Sequence, residues 1–170
     1  MKHLFTLILG LLVTVGYAQK KELRQAQKLF KASKIEEAKS SLSTNQAIIE
    51  GSEDARIKTQ YHFLKGQIAR LDKDFQASID NLKLAEGNSA LKAALASEIQ
   101  QLTSDIVNAA IAQSEAKEFI PSSENLYLAY QELFFEEKNH PVLLKFQSST
   151  TNLYFEAFHF QVYQKYLILQ

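Results

Sequence analysis

The stretch TQYHFLKGQIARLDKDFQASIDNLKLAEG, residues 59–87, decides the fold. Its apolar residues recur at spacings of three and four, which is typical of one buried helix face. A polar turn at residues 72–74 divides the stretch, and Gly87 ends it as a residue free to adopt positive φ. Gly66 in the first half and Ser78 in the second are small residues at the point where two antiparallel helices would cross. The stretch therefore predicts a helix–turn–helix pair.

The same arrangement recurs before and after this stretch. In three blocks, a small residue in the first helix is followed by an apolar residue nine positions later, a small residue twelve positions later and a leucine sixteen positions later. Close helix packing requires small side chains at the crossing; we expect the apolar residue to cover that contact and the leucine to fill the space between repeats. These columns are Ala26, Gly66 and Ala110; Ile35, Phe75 and Phe119; Ala38, Ser78 and Ser122; and Leu42, Leu82 and Leu126. The alternative is chance alignment in a helical chain rich in Ala and Leu, but several columns recur together.

These columns resemble the tetratricopeptide repeat, most clearly in LFKASKIEEAKSSL (residues 29–42) and KDFQASIDNLKLAEG (residues 73–87). The resemblance covers about residues 20–130 and implies an exported bacterial protein of that family. It implies an all-α fold of stacked antiparallel helix pairs in a short right-handed solenoid, with repeats at about residues 20–52, 54–87 and 89–135. Three features depart from the family. The small columns are 40 and 44 residues apart instead of 34, the chain lacks Trp, and the proline that often ends a unit is missing.

Composition agrees with a helical, folded protein. Hydrophobic residues make up 46% of the 170 residues and charged residues 22%, with five Gly and two Pro. The 19 basic and 19 acidic residues cancel, so the net charge predicts no strong basic field for nucleic acid or for an anionic membrane surface. The absence of cysteine excludes disulfides, thiolate metal sites and a cysteine nucleophile.

The first 18 residues predict a secretory signal peptide. Lys2 precedes an apolar run at residues 4–15, and Gly16 and Ala18 provide the small residues of a cleavage site before Gln19. An uncleaved anchor is the alternative, but twelve apolar residues are too few to span about 30 Å of hydrocarbon. We therefore expect an exported protein, periplasmic, envelope-associated or extracellular, with no stable membrane span after leader cleavage.

Several residues predict where the other helices begin and end. They are Ser33 with Glu36 as a capping box, Gly51 as a left-handed helix end, Ser52 as a cap, and Pro121 as a helix break followed by Ser122 or Ser123 as the next start.

Residues 136–170 predict an atypical, aromatic-rich helical segment, a degenerate or truncated repeat. Eleven of the eighteen Phe and Tyr residues lie in residues 127–166. Helical aromatics usually form a core, and the alternative is an aromatic binding surface. The chain stops without the polar capping helix that solenoids normally have, so we expect a fragment, or a chain altered near its end.

Nothing in the sequence predicts catalysis, a metal site or a cofactor. The four histidines are scattered, and the Glu-x-x-His pair Glu156 with His159 lacks the further ligands that a metal site needs. The chain also lacks a phosphate-binding glycine loop and a nucleophile elbow.

The resemblance therefore implies a non-catalytic interaction or scaffold module for a peptide or partner protein. On the family's layout, the first helices line a groove whose residues would be Gln27, Lys31, Gln60, Gln67, Arg70, Ser104 and Ser114. Solvated helix surface is the alternative explanation of these polar residues. The competing function is a structural subunit of a larger envelope assembly that uses the aromatic C-terminal surface.

Overall fold

The computed structural model describes residues 19–129, and these residues form helices without any strand. The all-α prediction is confirmed for this part of the chain. The chain divides into two compact units, Met1–Leu95 and Ala96–Gln170. The helices are α1 (residues 19–31), α2 (Ile35–Thr44), α3 (Gln46–Glu50), α4 (Ala55–Leu71), α5 (Phe75–Leu84), a short 3-10 helix (Ser89–Leu91), α6 (Lys92–Glu115) and α7 (Phe119–Leu128).

Three helix pairs, α1–α2, α4–α5 and α6–α7, are joined by turns of one geometry. Each turn places a non-glycine residue in the left-handed region, and these residues are Ser33 (φ 60°), Lys73 (φ 62°) and Lys117 (φ 64°). In each turn the following residue donates its N–H to a carbonyl five positions earlier, at 3.0 Å, 2.9 Å and 2.8 Å. This bond is the long hydrogen bond of a Schellman motif, which satisfies the free carbonyls at a helix end. Each left-handed residue stands seven positions after the small residue of the first helix.

The small residues of the second and third pairs are joined by a hydrogen bond. The Ser78 hydroxyl donates to the Gly66 carbonyl at 2.9 Å, and the Ser122 hydroxyl donates to the Ala110 carbonyl at 2.7 Å. Both serines are fully buried, so each hydroxyl needs a partner inside the protein. In the first pair the same two columns are alanines, Ala26 and Ala38, both fully buried in the main core.

Gly66 has no space for a side chain. A Cβ atom at this position would lie 2.7 Å from Leu82 Cδ2, 2.8 Å from Leu82 Cγ and 3.3 Å from the Ser78 carbonyl oxygen. Leu82 is itself buried, with 2% of its surface exposed. The expectation placed this leucine between repeats, but the structure places it against Gly66 of its own helix pair.

The core of the first unit is shared by α1, α2, α3 and α4. It includes Ala26, Ala38, Leu42 and Tyr61, with Ile35, the first residue of α2, partly buried against it. Lys39 of α2 forms an ion pair with Asp72, in the turn that follows α4. The Asp72 carboxylate raises the pKa of Lys39, chiefly through their hydrogen bond.

Two predicted helix caps in the first unit, Ser33 and Ser52, are wrong, whereas a helix does end at Gly51 as predicted, although with a different geometry. Ser33 is not a helix cap but the left-handed residue that ends α1, and α2 begins after Lys34 without a side-chain cap. The helix predicted to end at Gly51 is interrupted at Asn45, and Gly51 has φ −70° instead of a positive value. Asp54, not Ser52, caps α4 by accepting the Arg56 N–H at 2.9 Å, and Ser52 is buried two residues before this cap.

In the second unit, the third turn precedes the predicted break. The turn lies at residues 116–118, and Pro121 stands in the first turn of α7, where a missing N–H costs no helix hydrogen bond. Ser122 and Ser123 therefore lie inside the helix instead of beginning it. Ile106, Ala110 and Leu126 are buried here.

Replacing Gly66 by leucine tests the close approach of α4 and α5. We expect Gly66→Leu to lower the free energy of unfolding by about 1–3 kcal/mol or more, because the new side chain would overlap Leu82. Ala55→Leu, at the exposed start of the same helix, should change it by less than about 0.5 kcal/mol. Urea denaturation measures both, and equal effects would show that the crossing is not tightly packed.

The left-handed turn predicts that replacement by glycine has opposite effects on the free energy of unfolding at Lys73 and at Lys58. Lys73→Gly should raise the free energy of unfolding by about 0.5–1 kcal/mol, because a left-handed residue with a Cβ costs about 1–2 kcal/mol and glycine's flexibility returns part of this gain. Lys58→Gly, on the exposed side of α4, should lower it by about 1 kcal/mol. A loss of stability in both variants would contradict the strained turn.

Candidate partner-binding face

One side of α4 carries a row of half-buried side chains. Gln60, Phe63, Gln67 and Arg70 follow one another at spacings of three, four and three, which places them on one face of the helix. Three of the four were predicted as groove residues. Phe63 was not, although its spacing from Gln60 would have identified it. The α4 face, as we call these four residues, therefore combines an aromatic ring with amide and guanidinium groups.

The opposite part of α4 is anchored in the core through Tyr61. This side chain is 1% exposed, and its ring makes an edge-on contact with His62 at 5.2 Å between centroids. The Lys65 ammonium lies 5.2 Å from the same ring centroid. Burial raises the pKa of Tyr61, and the charge and hydrogen bond of Glu50 raise it further. These contacts fix the rotation of α4, and with it the direction of the α4 face.

His62 connects α4 to α5 through a defined hydrogen bond. The Asn81 amide donates to the Ala77 carbonyl at 2.8 Å, which directs the Asn81 Oδ1 oxygen to His62 Nδ1 at 3.1 Å. Because Oδ1 only accepts hydrogen bonds, the His62 Nδ1 atom must carry a proton. The half-buried imidazole therefore serves as a link between the two helices.

The remaining predicted groove residues lie on α1 and α6. Gln27 is half-buried and Lys31 exposed, and both belong to α1 in the first unit. Ser104 and Ser114 lie on α6 within the second unit, where Ser104 is exposed and Ser114 is half-buried. Ser104 accepts a long hydrogen bond of 3.5 Å from the Asn108 amide.

Neither a metal-binding cluster nor a membrane-spanning helix is found in the part of the chain that the structure describes. Among residues 19–129, no group of three or more acidic or histidine side chains is arranged to hold a metal ion. Over the same residues, none of the helices is both long and apolar enough to cross a bilayer. The signal peptide, Glu156 with His159, and the aromatic segment 136–170 lie outside the described residues, so the assignments made for them stay predictions.

Comparison with known proteins returns no relative. No family model matches the chain, and neither a curated protein nor a solved structure is significantly similar to it.

The burial of Tyr61 predicts a loss of stability at alkaline pH. Above pH about 10 the phenol of an unfolded chain ionises, whereas the raised pKa keeps the folded phenol neutral, so folding becomes less favourable as the pH rises. We expect Tyr61→Phe to reduce the fall in unfolding free energy between pH about 10 and about 12, measured by urea titration.

The exposed Tyr127 provides the control for this measurement. Tyr127→Phe should leave the alkaline fall as large as in the wild type. If the unfolding free energy of Tyr61→Phe falls at alkaline pH as much as that of the wild type, the effect belongs to other groups. One such group is Lys39, whose pKa is also raised.

Proposed function

We propose that the chain is an exported helical-repeat protein of the tetratricopeptide type that binds a peptide or partner protein and has no catalytic activity. The observation that carries this proposal is the recurrence of one helix–turn–helix geometry three times. Each time, a left-handed residue stands seven positions after one small buried residue and five before the next. Helical repeats of this kind commonly serve as binding scaffolds, because neighbouring units present one helix face in succession.

The α4 face supports a peptide as the ligand. An extended peptide exposes backbone N–H and C=O groups, and the amides of Gln60 and Gln67 can both donate and accept hydrogen bonds. Phe63 adds an aromatic surface between them, and aromatic residues often supply much of the affinity at protein interfaces. Arg70 adds a positively charged guanidinium group at the end of the row.

The architecture of the first unit favours a preformed binding face. Tyr61 of α4 is buried in the core, and the Ser78 hydroxyl of α5 donates a hydrogen bond to the Gly66 carbonyl of α4. A rigid face loses little conformational entropy when a ligand binds, and this improves affinity. The second helix of the pair, α5, packs against α4 and so contributes to this rigidity. It also has exposed polar residues of its own.

Site-specific cross-linking tests the binding face. A photoreactive phenylalanine analogue placed at Gln60 or Phe63 should trap a partner from the envelope fraction of the source cells, seen as a band of higher mass. The same analogue at Gln76 or Asp80, exposed on α5 and hydrogen-bonded to each other at 3.0 Å, should trap nothing above background. Cross-links only at Gln76 and Asp80 would place the partner on the second helices and refute the proposed face.

A further inference from the structure

The first helix carries a row of cations that the net charge of the chain conceals. Five basic residues of α1 are all exposed, and we call them the α1 basic face: Lys20, Lys21, Arg24, Lys28 and Lys31. At 100° per residue they fall within an arc of about 100°, and they extend over about 16 Å of the helix. Leu23 and Ala26 lie towards the other side of the helix and are buried in the core.

Few acidic groups compensate these cations. The one acidic residue of α1, Glu22, points in a different direction around the helix. Lys21, Arg24, Lys28 and Lys31 form no ion pair with any residue of 19–129. Lys20 alone lies close enough to the Asp54 carboxylate to help lower its pKa, after the larger effect of Arg56.

This arrangement is unfavourable for α1 itself. Lys20 and Arg24, and likewise Arg24 and Lys28, are four residues apart, and like charges at this spacing repel across one helix turn. A solvated outer face needs polar residues, but it does not need one sign of charge. At the start of α2, by contrast, Lys34 just before the helix is paired with Glu37 at 2.9 Å. The excess of cations on α1 therefore indicates an anionic partner outside the molecule.

The shape and chemistry of the face narrow the class of partner. Protein interfaces usually contain an exposed aromatic or apolar anchor, and none of the strongly exposed large apolar residues within 19–129 lies on α1. Single-stranded nucleic acid requires aromatic side chains for base stacking. The aromatic residue of α1, Phe30, packs instead against the core. A straight, exposed row of cations without apolar side chains matches a flat anionic surface.

We propose that the α1 basic face binds the protein peripherally to membranes rich in anionic phospholipid. Clusters of four to eight Lys and Arg residues on an exposed helix are typical of such electrostatic attachment. The row of five cations falls in this range, and the binding needs no insertion of apolar groups. This surface is separate from the α4 face and can act whether or not a peptide binds there.

Vesicle sedimentation of the full chain tests this attachment. One set of vesicles contains phosphatidylcholine alone, and the other contains equal parts of phosphatidylcholine and phosphatidylglycerol. The ratio of the two binding constants removes the contribution of the apolar segment at residues 4–15, which is common to both. We expect a strong preference of the wild type for the anionic vesicles. This preference should collapse between about 0.1 M and about 1 M NaCl, as the screening length falls from about 10 Å to about 3 Å.

A triple variant locates the attachment on α1. Each cation at an anionic membrane strengthens binding roughly fivefold, so Arg24→Gln with Lys28→Gln and Lys31→Gln should weaken anionic binding on the order of a hundredfold. The matched control, Lys58→Gln with Lys73→Gln and Lys92→Gln, removes three exposed cations elsewhere and should have a much smaller effect. The charge-preserving variant Arg24→Lys, Lys28→Arg, Lys31→Arg should bind like the wild type.

Three results would overturn the proposal. The first is a wild type that binds both vesicles equally. The second is an equal loss in the α1 variant and in its matched control, which would reflect net charge alone. The third is tighter binding of the wild type to duplex DNA than to anionic vesicles, lost in the α1 variant, which would make the face a nucleic-acid surface. Circular dichroism of each variant separates these results from unfolding.

Discussion

The close approach of α4 and α5 at Gly66 and Ser78 is the contact on which the rest of the first unit depends. The helices approach closely here, because Gly66 has no side chain and the Ser78 hydroxyl is bonded to the Gly66 carbonyl. A buried hydroxyl without that bond would be costly, so the serine ties the two backbones at one place. Leu82 closes the contact from α5, and Tyr61 anchors the far side of α4 in the main core. The direction of the α4 face follows from these contacts.

The same close approach sets the geometry of the turns between paired helices. A fixed distance of twelve residues between the two small positions requires a short turn, and all three turns achieve it by placing one residue in the left-handed region. The residues that accept this conformation are Ser33, Lys73 and Lys117, none of them glycine or asparagine. Tertiary packing and the hydrogen bonds of the Schellman motif evidently outweigh the local backbone cost. The turn geometry is therefore the same in three turns whose sequences differ.

The chain is neutral overall, but the fold gathers an excess of positive charge on one side of α1. The chain has equal numbers of basic and acidic residues, which led to the expectation of no basic field. Folding packs one side of α1 into the core and leaves its cations together on the other side. Because salt screens charges beyond about 8–10 Å, a partner at α1 would respond to these cations and little to distant acidic residues. The first unit thus carries two different surfaces, the half-buried α4 face and the exposed α1 basic face.

The sequence by itself determined the helical class, the three helix pairs and the buried small-residue and leucine columns, because helical periodicity and the spacing of small residues are local properties. It also predicted Gln60, Gln67 and Arg70 as groove residues, which stays a prediction, and the structure adds Phe63 to the same side of α4. Only the tertiary structure decided the helix boundaries at Ser33, Asp54 and Pro121, the break at Asn45 and the place of Leu82 against Gly66. The physical reason is that several residue types can cap a helix, interrupt it or fill a core position at nearly equal local free energy. The choice among them is made by contacts between residues far apart in the chain.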